Sequence, residues 1–191
     1  MSLTRGKASQ LLLAAWEWSA YLGEKLLRIK TSPYRRICPA NFIVKAKVSG
    51  HYVNSILATQ DANDTGYDEA LMLDMDGFVA EGPGANFFVE NNGVLYTPES
   101  DSILPGITRA TVLEICAELG IDVVRTTLKL EDVYEKESAF FCGTSAEIIG
   151  IDSLDNRAFI KPWHTSLGAV IQKAYKNLVL QKPYSTMAIV A

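Results

Sequence analysis

Four short segments carry residue types able to do chemistry. Lys45-Ala46-Lys47-Val48-Ser49-Gly50-His51-Tyr52 sets two lysines beside apolar neighbours. A lysine turned toward an apolar interior loses hydration, its pKa falls, and its free amine becomes a Schiff-base nucleophile. The ordinary alternative is a strand with a solvated lysine face, where most lysines sit. Lys45 and Lys47 share a face at strand spacing, so periodicity does not separate them. Glu81-Gly82-Pro83-Gly84-Ala85-Asn86 puts a carboxylate at a strand end before two glycines, where a bending backbone can bring it against a ligand. The same residues also make an ordinary turn. Leu104-Pro105-Gly106-Ile107-Thr108-Arg109 opens a helix. Its unpaired N–H groups and dipole favour an anion, and Thr108 adds a hydroxyl; the plain alternative is Thr108 as a cap. Gly143-Thr144-Ser145-Ala146-Glu147 follows an apolar run and offers N–H and O–H donors for a phosphate or carboxylate. It equally makes a plain β-turn.

Such groups work only where regular elements hold them. Apolar residues over 10–16 predict a buried strand running into a connector with Trp16, Trp18 and Tyr21. Residues 24–36 carry Lys25, Arg28, Lys30, Arg35 and Arg36 and are expected to be exposed, with Pro33 breaking any helix. Alternation over 42–48 predicts a strand ended by Gly50, and 52–61 a helix with Val53, Ile56 and Leu57 on one face. Hairpins are expected at 70–80, about the turn Asp74-Met75-Asp76-Gly77, and at 86–97, about Asn91-Asn92-Gly93. An amphipathic helix spans 107–119 and stops at Gly120; strands follow at 121–126, 139–142 and 147–151. A helical turn is expected at 130–134 and a last helix at 166–180, with Leu167, Val170, Ile171, Ala174 and Leu178 on one side. Hairpins with a few helices make an α+β fold, not a doubly wound one.

Bulk composition narrows the chemistry further. The chain has 191 residues, 48% of them hydrophobic and 21% charged, enough for one domain with a real core and too apolar for general disorder. A net charge of −4 lacks the basic footprint of a nucleic-acid binder. No apolar run approaches the length of about 20 residues that spans a bilayer, and no signal-peptide pattern is visible. Three widely spaced cysteines and two histidines make neither a disulfide framework nor a metal centre, so a reducing cytoplasm is expected. Neither a Gly-x-Ser-x-Gly elbow nor a Walker-type or Gly-x-Gly-x-x-Gly loop is present.

Taken in order, these segments resemble the fold-type IV pyridoxal-phosphate enzymes, and within them most closely the branched-chain amino-acid aminotransferases. The resemblance rests on Lys47-x-Ser49-Gly50-x-Tyr52-x-Asn54-Ser55 and Gly66-Tyr67-Asp68-Glu69-Ala70. It continues through Glu81-Gly82-x-Gly84-x-Asn86-x-Phe88, then Leu104 to Arg109, then Gly143-Thr144-Ser145-Ala146-Glu147. Each is weak alone; five in order over residues 47–147 are strong. The resemblance implies a large domain with a mixed or antiparallel barrel-like sheet and flanking helices over 25–191. Residues 1–24 would be a remnant of a smaller domain and a connector.

The resemblance also implies roles. Lys47, five residues before Tyr52 as the motif requires, would be the Schiff-base lysine and proton shuttle. Tyr52 would hydrogen-bond the phenolic oxygen of pyridoxal 5'-phosphate, Glu81 would hold its ring nitrogen protonated, and Leu104 would pack on the ring. Amides of Ile107 and Thr108, with the hydroxyls of Thr108 and Thr144, would hold the phosphate. Amides around Thr144 and Ser145 would take the substrate carboxylate, and Trp18 and Tyr21 would line the side-chain pocket. No metal is implied. The implied reaction is transamination between branched-chain L-amino acids and 2-oxoglutarate by a homodimer or larger homo-oligomer. A D-amino-acid aminotransferase or an aminodeoxychorismate lyase shares the fold, and a catalytically silent fragment is a rival of another class. The family's phosphate-binding arginine belongs to a part with no counterpart here, which implies little activity for this chain alone.

Overall fold

In the computed structural model, residues 11–15, 17, 22 and 25–181 are described. Their strands are β1 (Leu27–Thr31), β2 (Glu69–Leu73), β3 (Val79–Glu81), β4 (Asn86–Asn91), β5 (Val94–Pro98), β6 (Val123–Thr126), β7 (Ser138–Gly143), β8 (Glu147–Leu154) and β9 (Arg157–Ala158). The helices are α1 (Tyr52–Asp64), α2 (Ile107–Leu119), α3 (Leu130–Tyr134) and α4 (Leu167–Val179). One mixed sheet runs β3-β2-β1-β8-β7-β4-β5-β6, with β9 beside β8. β1 is parallel to β2 and β8, and β5 to β6; the other pairs are antiparallel. The Val79 N–H donates to the Leu128 carbonyl at 2.8 Å, tying one end of the strand order to the segment after the other. That tie curls the sheet, and the expected α+β architecture with a barrel-like sheet is the one observed.

Alternation along the central strands builds two cores. Phe87, Val89, Ala139 and Phe141 face one side with Leu27, Ile29, Leu71, Ile149 and Ile151. Phe88, Phe140 and Cys142 face the other, where Val112, Ile115 and Cys116 of α2 and Ile171 and Ala174 of α4 cover them. Phe88 and Phe140 are partners in register and their rings stack at 5.0 Å. Glu90, fully buried on β4, accepts from Ser138 Oγ at 3.0 Å, from the Leu167 N–H at 2.8 Å and from Lys161, which stitches the start of α4 to the sheet. Ser166 caps that helix by accepting from the Ala169 N–H. Among the described residues, no helix is long and apolar enough to cross a membrane.

Several expectations are corrected. The run over 24–36, expected to be exposed, is not exposed throughout: β1 lies there, between β2 and β8, with Leu27 and Ile29 inside. Its charges sit on the alternate face, where Lys30 Nζ meets Asp61 Oδ2 at 2.9 Å. Residues 42–48 form no strand. Their amides bond locally, as in Ala46 N–H to the Ile43 carbonyl at 3.0 Å and Val48 N–H to the Ala46 carbonyl at 2.9 Å, so no ladder is needed. The premise that Lys45 and Lys47 share a strand face falls with it. α1 is helical as expected but buries Ser55, Ala58 and Ala62, leaving Val53, Ile56 and Leu57 exposed. Small side chains let its backbone close on Ala70 and Met72 of β2. Residues 11–15 are not in a strand, and Leu11, Leu12 and Leu13 lie almost fully in solvent. Trp16, Trp18 and Tyr21 fall outside the described residues.

Gly168 offers a test of the packing between α4 and the sheet. A Cβ there would stand 2.5 Å from Trp163 Cζ3 and 2.9 Å from Phe140 Cδ1. On an open helix face, glycine to alanine stabilises by up to about 1 kcal/mol. Overpacking reverses the sign here, and Gly168→Ala is expected to cost about 1–3 kcal/mol. Urea unfolding of both chains measures it; an unchanged or raised midpoint would show that the rings yield freely.

Candidate active site

The ends of β3 and β7, the start of β4, the start of α2 and the segment leading into α1 converge on one cavity of about 220 Å³. Lys47, Tyr52, Glu81, Leu104, Ile107, Thr108 and Thr144 all line it, although they come from four separate stretches of chain. Lys45 lines it too. Ser145 is not among the lining residues. Trp18 and Tyr21 lie outside the described residues.

Glu81 is the buried charge of the site, 3% exposed at the end of β3. Its Oε1 lies 2.7 Å from Arg36 Nη2. The Leu104 N–H is shared between the two oxygens at 3.1 and 3.2 Å, and Asn86 Nδ2 donates to Oε2 at 2.9 Å. A carboxylate accepts about four hydrogen bonds, and these three donors already make four contacts, two on each oxygen. Burial pushes its pKa up to about 7, and the Arg36 guanidinium holds it below where burial alone would take it.

Asn86 joins the carboxylate to the neighbouring loop, because Nδ2 also donates to the Leu104 carbonyl at 2.9 Å. Its Oδ1 occupies the space of a side chain at 106: a Cβ there would lie 2.1 Å away, so only glycine fits. Gly106, not Thr108, is the N-cap of α2, and no side chain bonds the first amides of the helix. An uncapped start carries partial positive charge from its free N–H groups. Thr108 is buried beside it, while Ile107 is 82% exposed and offers its backbone more than its side chain. Gly143 also needs its lack of a side chain, since a Cβ would press within 3.1 Å of the Gly84 carbonyl.

The two lysines differ in their surroundings. Lys45 Nζ pairs with Asp101 Oδ1 at 3.1 Å, both side chains well exposed. Lys47 has no ion pair or side-chain hydrogen bond among the described residues, and its segment bends across the cavity through a 3-10 turn at Ser49–His51. Cys142 reaches the cavity from β7, but burial pushes its thiol up, out of the reactive range. Arg36 is the residue that sequence reasoning missed. Nothing in a run of basic residues marks which one turns inward. Asn86 stood within a motif but had no role assigned.

The chain has relatives among known proteins. Residues 2–154 match the family model described as amino-transferase class IV. The branched-chain-amino-acid aminotransferase of Pseudomonas aeruginosa is 41% identical over 181 residues, which cover 93% of this chain and 59% of that protein. The crystal structure of the branched-chain aminotransferase from Thermoproteus uzoniensis with norvaline superposes with a TM-score of 0.84 at 39% identity, covering 88% of this chain and 56% of that one. That of Thermobaculum terrenum in its PLP form gives 0.82 at 32% identity, covering 87% and 55%. The chain thus spans a little over half the length of these relatives.

The pKa of Glu81 sets a pH dependence. Its folded value, about 7, lies above the ordinary 4.5. The native state therefore binds the proton more tightly than the unfolded chain. The stability that Glu81 contributes is full below pH 4.5 and is lost as pH rises through 7. The loss is about 3 kcal/mol. Urea unfolding at pH 5 and pH 8 should show this drop in the native chain relative to Glu81→Gln; parallel profiles would count against it.

Proposed function

From the premise that this chain belongs to the class IV aminotransferase family, we propose that its cavity holds pyridoxal 5'-phosphate and serves transamination between branched-chain L-amino acids and 2-oxoglutarate. One observation carries the reading. A buried carboxylate held by an arginine shares a cavity with an exposed lysine amine and a helix start that has no side-chain cap. Those are the groups that a protonated ring nitrogen, a carbonyl and a phosphate require. When bound, the cofactor supplies an electron sink for the carbanion formed at the substrate α-carbon.

The chain supplies the rest. Lys47 offers the amine that captures the cofactor's carbonyl and then moves the α-proton. Glu81 favours the proton on the ring nitrogen. The Tyr52 hydroxyl donates to the phenolic oxygen, and Leu104 packs against the ring. Backbone amides of Ile107 and Thr108 neutralise the phosphate without a cluster of cations, and the hydroxyls of Thr108 and Thr144 complete its shell. Amides around Thr144 and Ser145 receive the substrate carboxylate; Trp18 and Tyr21 shape the pocket for its side chain. Residues 25–191 act as the cofactor-binding domain and 1–24 as a connector.

Assembly as a homodimer and residence in the cytoplasm complete the reading. Ile43, Val53, Ile56 and Ile107, on stretches that also line the cavity or adjoin it in sequence, are exposed, and exposed apolar side chains suit burial by a second chain. The three cysteines are free thiols, which suits a reducing compartment.

Borohydride trapping tests the anchor. Reduction in the presence of pyridoxal 5'-phosphate should place the label on Lys47. Lys47→Ala should lose the label, whereas Lys45→Ala keeps it. A label on Lys45 would reverse the assignment. The phosphate shell gives a second expectation. Thr108→Val removes a hydrogen bond to a charged group, worth about 1.5–3 kcal/mol, and should weaken cofactor binding by roughly one to two decades. An unchanged affinity by absorbance titration would remove Thr108 from the shell.

A further inference from the structure

Arg36 lies in the segment after β1, and its position is over-determined. Its N–H donates to the Leu73 carbonyl at 2.8 Å, fixing that segment to the end of β2. Its side chain, 8% exposed, turns inward to line the cavity. Nη2 stands 2.7 Å from Glu81 Oε1, and Nη1 donates to Ser55 Oγ on α1 at 3.3 Å. Nε is buried with no partner. Only a planar fork reaches a carboxylate on β3 and a hydroxyl on α1 together; a lysine offers a single point.

We propose that Arg36 is a positioning residue for the reaction: it draws Glu81 toward the ionised form and fixes the direction in which its carboxylate meets the cavity. Two effects oppose each other at Glu81. Burial favours the neutral acid, which would offer a proton instead of accepting one. Arg36 favours the anion, and among the described residues it is the one cation in contact; Arg109 acts in the same direction from farther off. Arg109 is engaged with Glu99 at 2.9 Å and the Pro98 carbonyl at 3.0 Å. Lys45 is engaged with Asp101, and Lys47 is exposed. Cys142, the other acid beside Glu81, remains a neutral thiol and offers no charge. A neutral Glu81 could not form an ion pair with a protonated ring nitrogen, so Arg36 acts on the cofactor through the carboxylate. That consequence rests on the proposed cofactor site; the control of Glu81 by Arg36 does not.

The test follows the carboxylate itself. Carbon-13 NMR of the glutamate carboxyl groups, with Glu81→Gln to assign the signal, gives the titration of Glu81 in the cofactor-free chain. Arg36→Gln should raise its midpoint by about one pH unit or more, while Arg36→Lys restores most of the difference. An unchanged midpoint in folded Arg36→Gln overturns the proposal. If that variant does not fold, nitrogen-15 spectra of the unsubstituted chain decide. Arg36 Nη signals should show hindered rotation at pH 8 and be released on acidification through the Glu81 midpoint; free rotation at pH 8 overturns the proposal. Titration with pyridoxal 5'-phosphate separates the two readings. If the unsubstituted chain binds none, the cofactor site fails, while the NMR result still judges Arg36.

Discussion

Strands covered on both faces can present chemistry only at their ends, and this constraint organises the molecule. β4 and β7 are buried between the two aromatic layers, with no room on either face for a ligand. Asn86 at the start of β4 is paired with Cys142 near the end of β7, so both strands deliver polar residues to the same edge of the sheet. β3 ends there with Glu81, and α2 begins there. The helix that shields the outer face thus also turns its positive end toward the cavity.

Charge at that edge is managed by pairing instead of by solvent. Glu81 and Arg36 are each almost wholly buried, and either alone would be costly. Together, with Asn86 and the Leu104 amide, they form a shared network whose members come from the segment after β1, from β3, from β4 and from the loop before α2. The network also explains why the glycines cluster where they do. Gly106 and Gly143 sit where a neighbouring carbonyl or amide already occupies the side-chain volume.

Local signals were legible in the sequence. α2 runs from Ile107 to Leu119 and stops at Gly120 in the left-handed region, as its periodicity and glycine predict. The hairpin about Asn92 and Gly93 and the helix after Ser166 were equally readable. What failed depended on distant partners. β1 exists because β2 and β8 flank it, while a run carrying Lys25, Arg28, Lys30, Arg35 and Arg36 looked like surface. α1 turns its small residues inward because β2 lies close, which a hydrophobic face drawn on the helix alone reverses. At the site, Lys47, Tyr52, Glu81, Leu104, Ile107, Thr108 and Thr144 were singled out by motif order, and all line one cavity. Arg36 was not, because its inward turn depends on partners distant in sequence, Leu73, Glu81 and Ser55.

The segment over 39–50 differs from the rest of the cavity wall in one respect. Val44 is its only buried side chain, and its backbone bonds are short-range turns facing water. Few buried contacts mean a low free energy of local opening, far below that of the sheet. The cavity is thus built from two materials. Its acid, amide and helix-start groups belong to the most stable cooperative unit of the chain. Its lysines ride on a segment whose amides exchange with solvent by local fluctuation, without global unfolding. Lys47 can shift position while Glu81 and the start of α2 stay fixed.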